Sequence, residues 1–591
     1  MTPALLWLLA TAPNADTTVA GPSDSEELPT ITVTIGRGEI EQHQVPAPVS
    51  VIDRETLQQR QAANLHDVLR DLAGVGTEGG PRQAALQPNI RGLGEGRVVM
   101  RLDGARQNMN IRHRGQSFLD PALLERVEVW RGPASTLYGS GAIGGVVNFH
   151  TLDAAGLLSD ERTMGGNLTG GYHDNGDQRF AAATLAATHE GFGLLGSLSR
   201  RRAGDFDDGD GNRVGLTGSD VLAGLLKGSW QGERDQRVTA TYMGFDDDAL
   251  SLATADRPEG LLVERNTRQH TGSLRYEYRP EADGLWDLDV TGYHTDLTLD
   301  ERALASGSLQ RNALVTTGLD AFNASRFSTG ALEHRIAYGV EWYRDRQRGT
   351  EDGEPRPGFA SSRQRTLGLF VQDSISFPGP LSVTAGVRID RISQRAERDD
   401  VEDNALSQVS PQLALNWQVT DTVQLYASYA EAFRAPALRE LFIGGQHFPG
   451  NQYLPNPQLR PEQARNREVG LVFSDRGVFT ADDNTSLRIS VFRNDVDDFI
   501  EQIVAATTTR FENLDQARIR GIELESRYST EQWRLMTTLA IQRGDDRGRN
   551  EPLQSIPGDS LTALVARAWF DGALELGMRT ALVRDQNRVP D

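Results

Sequence analysis

Asn89 to Asn148 reads NIRGLGEGRVVMRLDGARQNMNIRHRGQSFLDPALLERVEVWRGPASTLYGSGAIGGVVN. Short β-prone runs alternate here with glycine-containing turns. RVVMRLDG predicts a strand ending in an Asp-Gly turn, and RVEVWRGP a strand ending in Gly-Pro. ALLER, between them, is long enough for about one helical turn. Tyr138 to Gly145 sets Gly139, Gly141, Gly144 and Gly145 among small residues, which suits tight turns and close backbone approach. The run lacks the Gly-Lys-Ser/Thr ending of a phosphate loop, so no nucleotide site is expected there.

Around this stretch lie 591 residues, more than one ordinary core, which predicts two domains. A net charge of -21 and a pI near 5.0 argue against nucleic acid as a partner, because that needs a basic face. Hydrophobic residues make up 38%, and mean hydropathy is -0.45. No apolar run reaches the roughly 18 residues of a membrane helix. A β-barrel escapes that test, because only every second strand residue faces lipid. There is no cysteine, so neither disulfides nor thiolate sites exist.

NIRG, the strand with LDG, the run FLDPALLERVEVWRGPAS and the ending LYGSGAIGGVVN together resemble the plug domain of the TonB-dependent outer-membrane receptors. RHRGQSFLDPAL, around His113, is similar to the haem and haemoglobin receptors within that family. The resemblance covers nearly the whole chain. It implies an all-β membrane fold: an N-terminal α+β plug filling a transmembrane antiparallel β-barrel, of about twenty-two strands in the family. It also implies a monomer in the Gram-negative outer membrane, surrounded by its lipid and lipopolysaccharide. Ligand binding would expose a TonB box to the periplasm, where TonB, with ExbB and ExbD, uses proton-motive force to open the plug.

The N-terminus fits such a receptor. Residues 4–12, ALLWLLATA, read as the apolar core of a signal peptide spanning 1–20, with Ala10-Thr11-Ala12 as an A-x-A cleavage site and no basic residue before it. A polar linker, 21–39, contains Thr30, Ile31, Thr32, Val33 and Thr34, a β-prone run that resembles the TonB box. Such a segment can add a strand to a partner's sheet edge. The bland alternative is a first plug strand. Residues 40–155 make the plug. PVSVID (48–53) predicts a strand, Asp53 starts a helix over ETLQQR, and Asn64 caps another with Leu65, Val68, Leu69 and Leu72 on one face.

Residues 156–591 make the barrel. In SVTAGVRID, Val383, Ala385, Val387 and Ile389 alternate with Thr384, Gly386, Arg388 and Asp390. Tight turns at one end of such strands and long acidic loops at the other give the outer-membrane pattern, with roughly eighteen to twenty strands. Trp417, Tyr426 and Tyr429 are expected in interface girdles. The chain stops at Asn587-Arg588-Val589-Pro590-Asp591, without the aromatic-ended last strand of the family. It therefore reads as short by about three or four strands, with an open edge that lipid does not tolerate.

Two further boxes resemble the receptors: Phe433-Arg434-Ala435-Pro436, and Pro455-Asn456-Pro457-Gln458-Leu459. In haem receptors a histidine lies between them, and here that place holds His447. The resemblance makes His113, from the plug, and His447, from a barrel loop, the axial ligands of a transported haem. Neutral imidazole suits haem iron. No permanently bound cofactor and no other metal is expected. The remaining histidines, and Tyr138 and Tyr453, read as structural. Asp205, Asp207, Asp208 and Asp210 fail EF-hand spacing and read as a solvated loop. Arg91, Arg101, Arg126 and Arg131 are expected to pair with lumen carboxylates and hold the plug. No catalytic motif is present, so a haem receptor and not an enzyme is expected. The alternatives are a ferric-siderophore receptor, a passive porin and a non-transporting haem binder.

Overall fold

The computed structural model describes residues 6–10, 32–34, 36–37, 40–41, 45, 47–80, 86–108, 118–158, 162–233, 235–253, 262–280, 284–398 and 401–589. From Met164 onward the chain runs up and down. Among the described residues, nineteen strands have ten or more residues, from Met164–His173 to Leu574–Val583, and they lie in one closed barrel. The expected open edge is not there. Leu6–Ala10, within the run read as a signal-peptide core, pairs antiparallel with Leu574–Met578. That pairing takes up backbone groups that lipid could not satisfy.

The polarity of the wall is inverted relative to a soluble sheet. In Leu381–Ala396, Thr384, Arg388 and Asp390 are buried inside, whereas Ile389 is 56% exposed on the outer surface. Leu168, Leu185, Leu194 and Leu198 likewise face outward, and Thr184, Ser197 and Ser199 inward. An apolar exterior around a polar lumen is what a lipid-embedded cylinder requires. Among the described residues no helix is long and apolar enough to cross a membrane. Trp417 is 47% exposed outside, but Tyr426 is buried in the lumen, where its hydroxyl donates to Glu468 at 3.0 Å. Its girdle assignment is therefore wrong.

The plug folds inside this wall. Its sheet runs in the order Val49–Asp53, Leu124–Arg131, Gly145–Thr151, Val98–Leu102, Ala105–Arg106. Local chemistry sets the ends of the elements. Asp53 accepts from the Thr56 N–H and starts the helix Arg54–Gln59; Asn64 does the same for Leu65–Leu69 through Asp67. Asp103 and Gly104 both have positive φ, 44° and 87°, which closes the tight turn after Val98–Leu102. ALLER is not a helical turn: a 3-10 turn spans Pro121–Leu123, capped by Asp120, and the strand begins at Leu124. Ile52, Leu69, Val127 and Phe149 of the plug share one apolar cluster with Leu195, Met243, Phe245 and Leu297 of the wall. Burying each such side chain contributes about 1.5–3 kcal/mol, so the plug is packed into the barrel and not merely threaded through it.

Candidate functional site

The plug apex is the short helix Ser135–Tyr138 followed by the glycine run. Two of those glycines are required by close approach. A Cβ on Gly139 (φ +66°) would meet the Arg388 guanidinium of the wall at 2.8 Å, and one on Gly145 would meet the Trp130 carbonyl at 2.2 Å. The run is thus built for packing against the wall and the plug sheet.

Phe433–Pro436 docks on this apex. The Gly141 N–H donates to the Phe433 carbonyl at 3.0 Å, the Phe433 N–H to Ser135 Oγ at 3.3 Å, and the Ala435 N–H to Ser140 Oγ at 2.9 Å. Arg434 reaches Glu462 at 2.8 Å and Glu440 at 3.0 Å. Glu462 also takes plug Arg97 at 2.5 Å, so one buried carboxylate joins the plug, this box and the end of the loop. Gly96, residues 98–100, 106–108 and 140–141 of the plug line a cavity of about 130 Å³ together with Tyr343, Asp345 and residues 434–439 of the barrel. That is well below the roughly 300–1,000 Å³ of an enclosed ligand pocket, so this cavity alone does not hold a porphyrin-sized ligand.

Between the two boxes the loop is folded. Leu438–Phe442 forms a helix, and Gly445–Phe448 pairs with Asn451–Tyr453. Asn456 ties the second box down: its N–H donates to the Leu441 carbonyl at 2.9 Å and its side-chain amide to the Phe511 carbonyl at 2.8 Å. The carbonyls of Pro457 and Leu459 accept from Asn404. Leu459 packs with Leu438, Leu441 and Phe511. His447 is half-buried on the short hairpin. Its Nδ1 lies 2.9 Å from Thr509 Oγ1, and its ring centroid is 4.3 Å from that of Tyr453 and 4.9 Å from that of Phe448. His113, the other proposed haem ligand, lies outside the described residues.

Of the four plug arginines, three reach the barrel. Arg91 meets Glu468 at 2.7 Å and Glu523 at 2.8 Å, over the Phe492 ring. Arg101 pairs with Asp320. Arg131 meets Glu525 at 2.7 Å. Arg126 does not: it pairs at 3.1 Å with Glu128 of its own strand, so its assignment to the barrel is corrected. Sequence reasoning missed Arg97, Arg106 and Arg37. Arg106 pairs with Glu341 at 3.3 Å, and Arg37 with Asp320 at 2.6 Å. The signal for Arg97 was its place in the same glycine-rich run as Arg91.

Of the run read as a TonB box, Thr30 and Ile31 lie outside the described residues. Thr32–Val33 pairs with Ile40–Glu41, and the Thr34 N–H donates to the Glu128 carboxylate at 3.2 Å. Burial pushes the Glu128 pKa up, but His150, Arg126 and the Thr34 N–H outweigh it and hold the group down at about 2. The acidic loop uses its carboxylates on itself: Asp208 accepts from the N–H groups of Asp210 and Asn212, and Asp205 from that of Thr217. Tyr138 is buried, with its hydroxyl accepting from Asn148 at 3.3 Å. Among the described residues no group of carboxylates and imidazoles could hold a metal ion.

Residues 197–590 match the model for the TonB dependent receptor-like β-barrel, and residues 41–146 the TonB-dependent receptor plug domain. The chain belongs to the TonB-dependent receptor family. It is 31% identical to the hemin receptor of Yersinia pestis, over 98% of this chain and 87% of that one. It is 29% identical to the heme/hemopexin utilization protein C of Haemophilus influenzae, over 91% and 84%. As a TonB-dependent receptor it shares its fold with the Serratia marcescens hemophore receptor HasR, solved in complex with its hemophore HasA and heme. The TM-score is 0.82 at 24% identity, covering 91% of this chain and 92% of that one.

Proposed function

We propose that this receptor binds haem iron, free or carried by a haemoprotein, at the outer-membrane surface and imports it into the periplasm with TonB, ExbB and ExbD. The similarity to hemin receptors over almost the whole chain carries the reading. His447 is its chemical anchor. Thr509 Oγ1, 2.9 Å from Nδ1, orients the ring, and neutral imidazole is a ligand for haem iron. Tyr453 and Phe448 beside it suit a flat aromatic cargo. The resemblance to haem receptors assigns the second imidazole to His113 of the plug.

Coupling runs through the docked apex. The Leu137 carbonyl, below Ser135 and Ser140, accepts from Arg37 at 2.7 Å. Arg37 stands three residues beyond Thr34, the end of the TonB box. Ligand on the loop side and pull from the periplasmic side thus act on one small helix, and the plug opens locally. No bond of the cargo is made or broken, so the chain acts as a transporter and not as an enzyme.

The test is growth of a haem-auxotrophic, iron-starved host carrying this receptor. Growth on haemin that disappears when TonB is deleted supports the proposal. Growth on a ferric siderophore but not on haemin would replace haem with the siderophore reading. Uptake that persists without TonB would indicate a passive pore.

A further inference from the structure

Behind His447 a short line of hydrogen bonds runs inward and ends on a backbone carbonyl. The first link is the 2.9 Å contact between His447 Nδ1 and Thr509 Oγ1. The second, 2.7 Å long, joins Thr509 Oγ1 to Asn451 Oδ1. The third joins Asn451 Nδ2 to the Ala505 carbonyl at 2.8 Å. Asn451 and Thr509 are both fully buried.

Backbone pairing holds the line in place. In the turn Phe448-Pro449-Gly450-Asn451, Gly450 has φ +85°, the left-handed value that suits glycine after proline. The turn sets Asn451 opposite Phe448. Gln452 and Tyr453 then pair parallel with Thr508 and Thr509. The N–H groups of Gln452 and Leu454 donate to the carbonyls of Thr507 and Thr509, each at 2.9 Å. The loop 435–461 is thus joined to the connection 505–507 around these three side chains.

The direction of each bond follows from which groups can donate. The Ala505 carbonyl only accepts, so the Asn451 amide turns its NH2 group there and its oxygen toward Thr509. That oxygen also only accepts, so the single hydrogen of the Thr509 hydroxyl goes to it. Toward His447 the hydroxyl then has only a lone pair to offer, and Nδ1 carries the hydrogen. In a neutral ring the lone pair therefore lies on Nε2, and a metal binds through that lone pair. The opposite tautomer would leave two acceptors facing each other across one of these links, in a place closed to water.

We infer that Asn451 is a positioning residue for the proposed haem ligand: through Thr509 it fixes the hydrogen of His447 on Nδ1 and presents Nε2 to the iron. The iron rests on the haem reading; the tautomer rests on the hydrogen bonds alone.

The test uses the full chain in detergent micelles, with isotopically labelled histidine, first without haemin. It is run at about pH 8, above the ordinary histidine pKa of about 6.5. The ring nitrogen resonances of His447, assigned by their loss in His447→Gln, report which nitrogen carries the hydrogen. A single Nδ1–H form is expected. In Asn451→Ala the Thr509 hydrogen is released to Nδ1, so the Nε2–H form should appear. Haemin affinity should then fall about tenfold or more, the usual cost of losing an outer-shell partner. Asn451→Asp separates this role from a merely structural one. It keeps an acceptor for Thr509 but, like alanine, offers no NH2 group to Ala505. It should keep the Nδ1–H form. If Asn451→Asp behaves like Asn451→Ala, Asn451 is only a loop tether and the inference is overturned. An Nε2–H ring in the unmodified chain overturns it as well, as does an unchanged Nδ1–H ring in Asn451→Ala. An Nδ1–H ring in a chain that binds no haemin would sink the haem reading and uphold the tautomer.

Discussion

Arg37 reaches across from the N-terminal segment to Asp320 of the barrel wall, at 2.6 Å, and Asp320 is shared with Arg101 of the plug sheet. All three side chains are buried. The residue that follows the proposed TonB box by three positions is thus pinned to the same carboxylate as the plug sheet. Burial pushes the Arg101 pKa down, but Asp320 and Glu341 more than reverse this, so the guanidinium stays charged at any working pH.

The two ends of this relationship are not equivalent. Arg37→Ala leaves Asp320 with Arg101, whereas Asp320→Asn takes the carboxylate from Arg37 and leaves Arg101 with only Glu341 at 3.9 Å. Orphaning a buried charge costs about 3–5 kcal/mol. Thermal melts of the purified chain are expected to rank Asp320→Asn below Arg37→Ala. A spin label at Thr32 is expected to gain mobility in both. Equal melts, or an immobile label, would refute the pinning.

The hold on Thr34 has a defined pH dependence. Glu128 has a depressed pKa, so its contribution is complete above its ordinary value of 4.5 and is lost as pH falls toward about 2. The label at Thr32 should therefore be unchanged from pH 7 to pH 5 and should loosen only below about 4.5. Loosening between pH 7 and 5 would assign the hold to another group. Glu128→Gln should loosen it at all pH values.

Glu462 is the meeting point of Arg97 and Arg434. Glu462→Gln leaves both without a charged partner except for the Glu440 contact of Arg434. Faster proteolysis within 435–461 and at least a tenfold loss of haemin affinity are expected, by the roughly 1.4 kcal/mol per decade of binding. Unchanged proteolysis and affinity would make the contact ornamental.

Much of the plug was legible because its signals are local. Asp53, Asn64 and the Asp103-Gly104 turn act within four residues of themselves, and each does what its chemistry dictates. The alternation in SVTAGVRID gave the inside and outside of the wall for the same reason. Tyr426 was legible but misread: it stands an odd number of residues from Tyr429, so the two cannot face the same side of a strand. Register settles which is inside, since Tyr426 sits opposite Asn416 and Tyr429 opposite Leu413. What no local signal carried was pairing across the chain. Arg97 and Glu462 are 365 positions apart, and Arg37 and Asp320 are 283 apart. Arg126 shows the limit from the other side, because a carboxylate two residues away on its own strand captured it before any barrel residue could.

The central claim is that His447 meets the iron of a bound porphyrin. An absorption titration of the purified chain with haemin tests it most directly. The account predicts sharp low-spin bands that saturate at one haem per chain. They should shift to a high-spin form in His447→Ala or His113→Ala, and disappear in the double variant. Unaltered low-spin bands in His447→Ala, or no specific band in the unmodified chain, would contradict it.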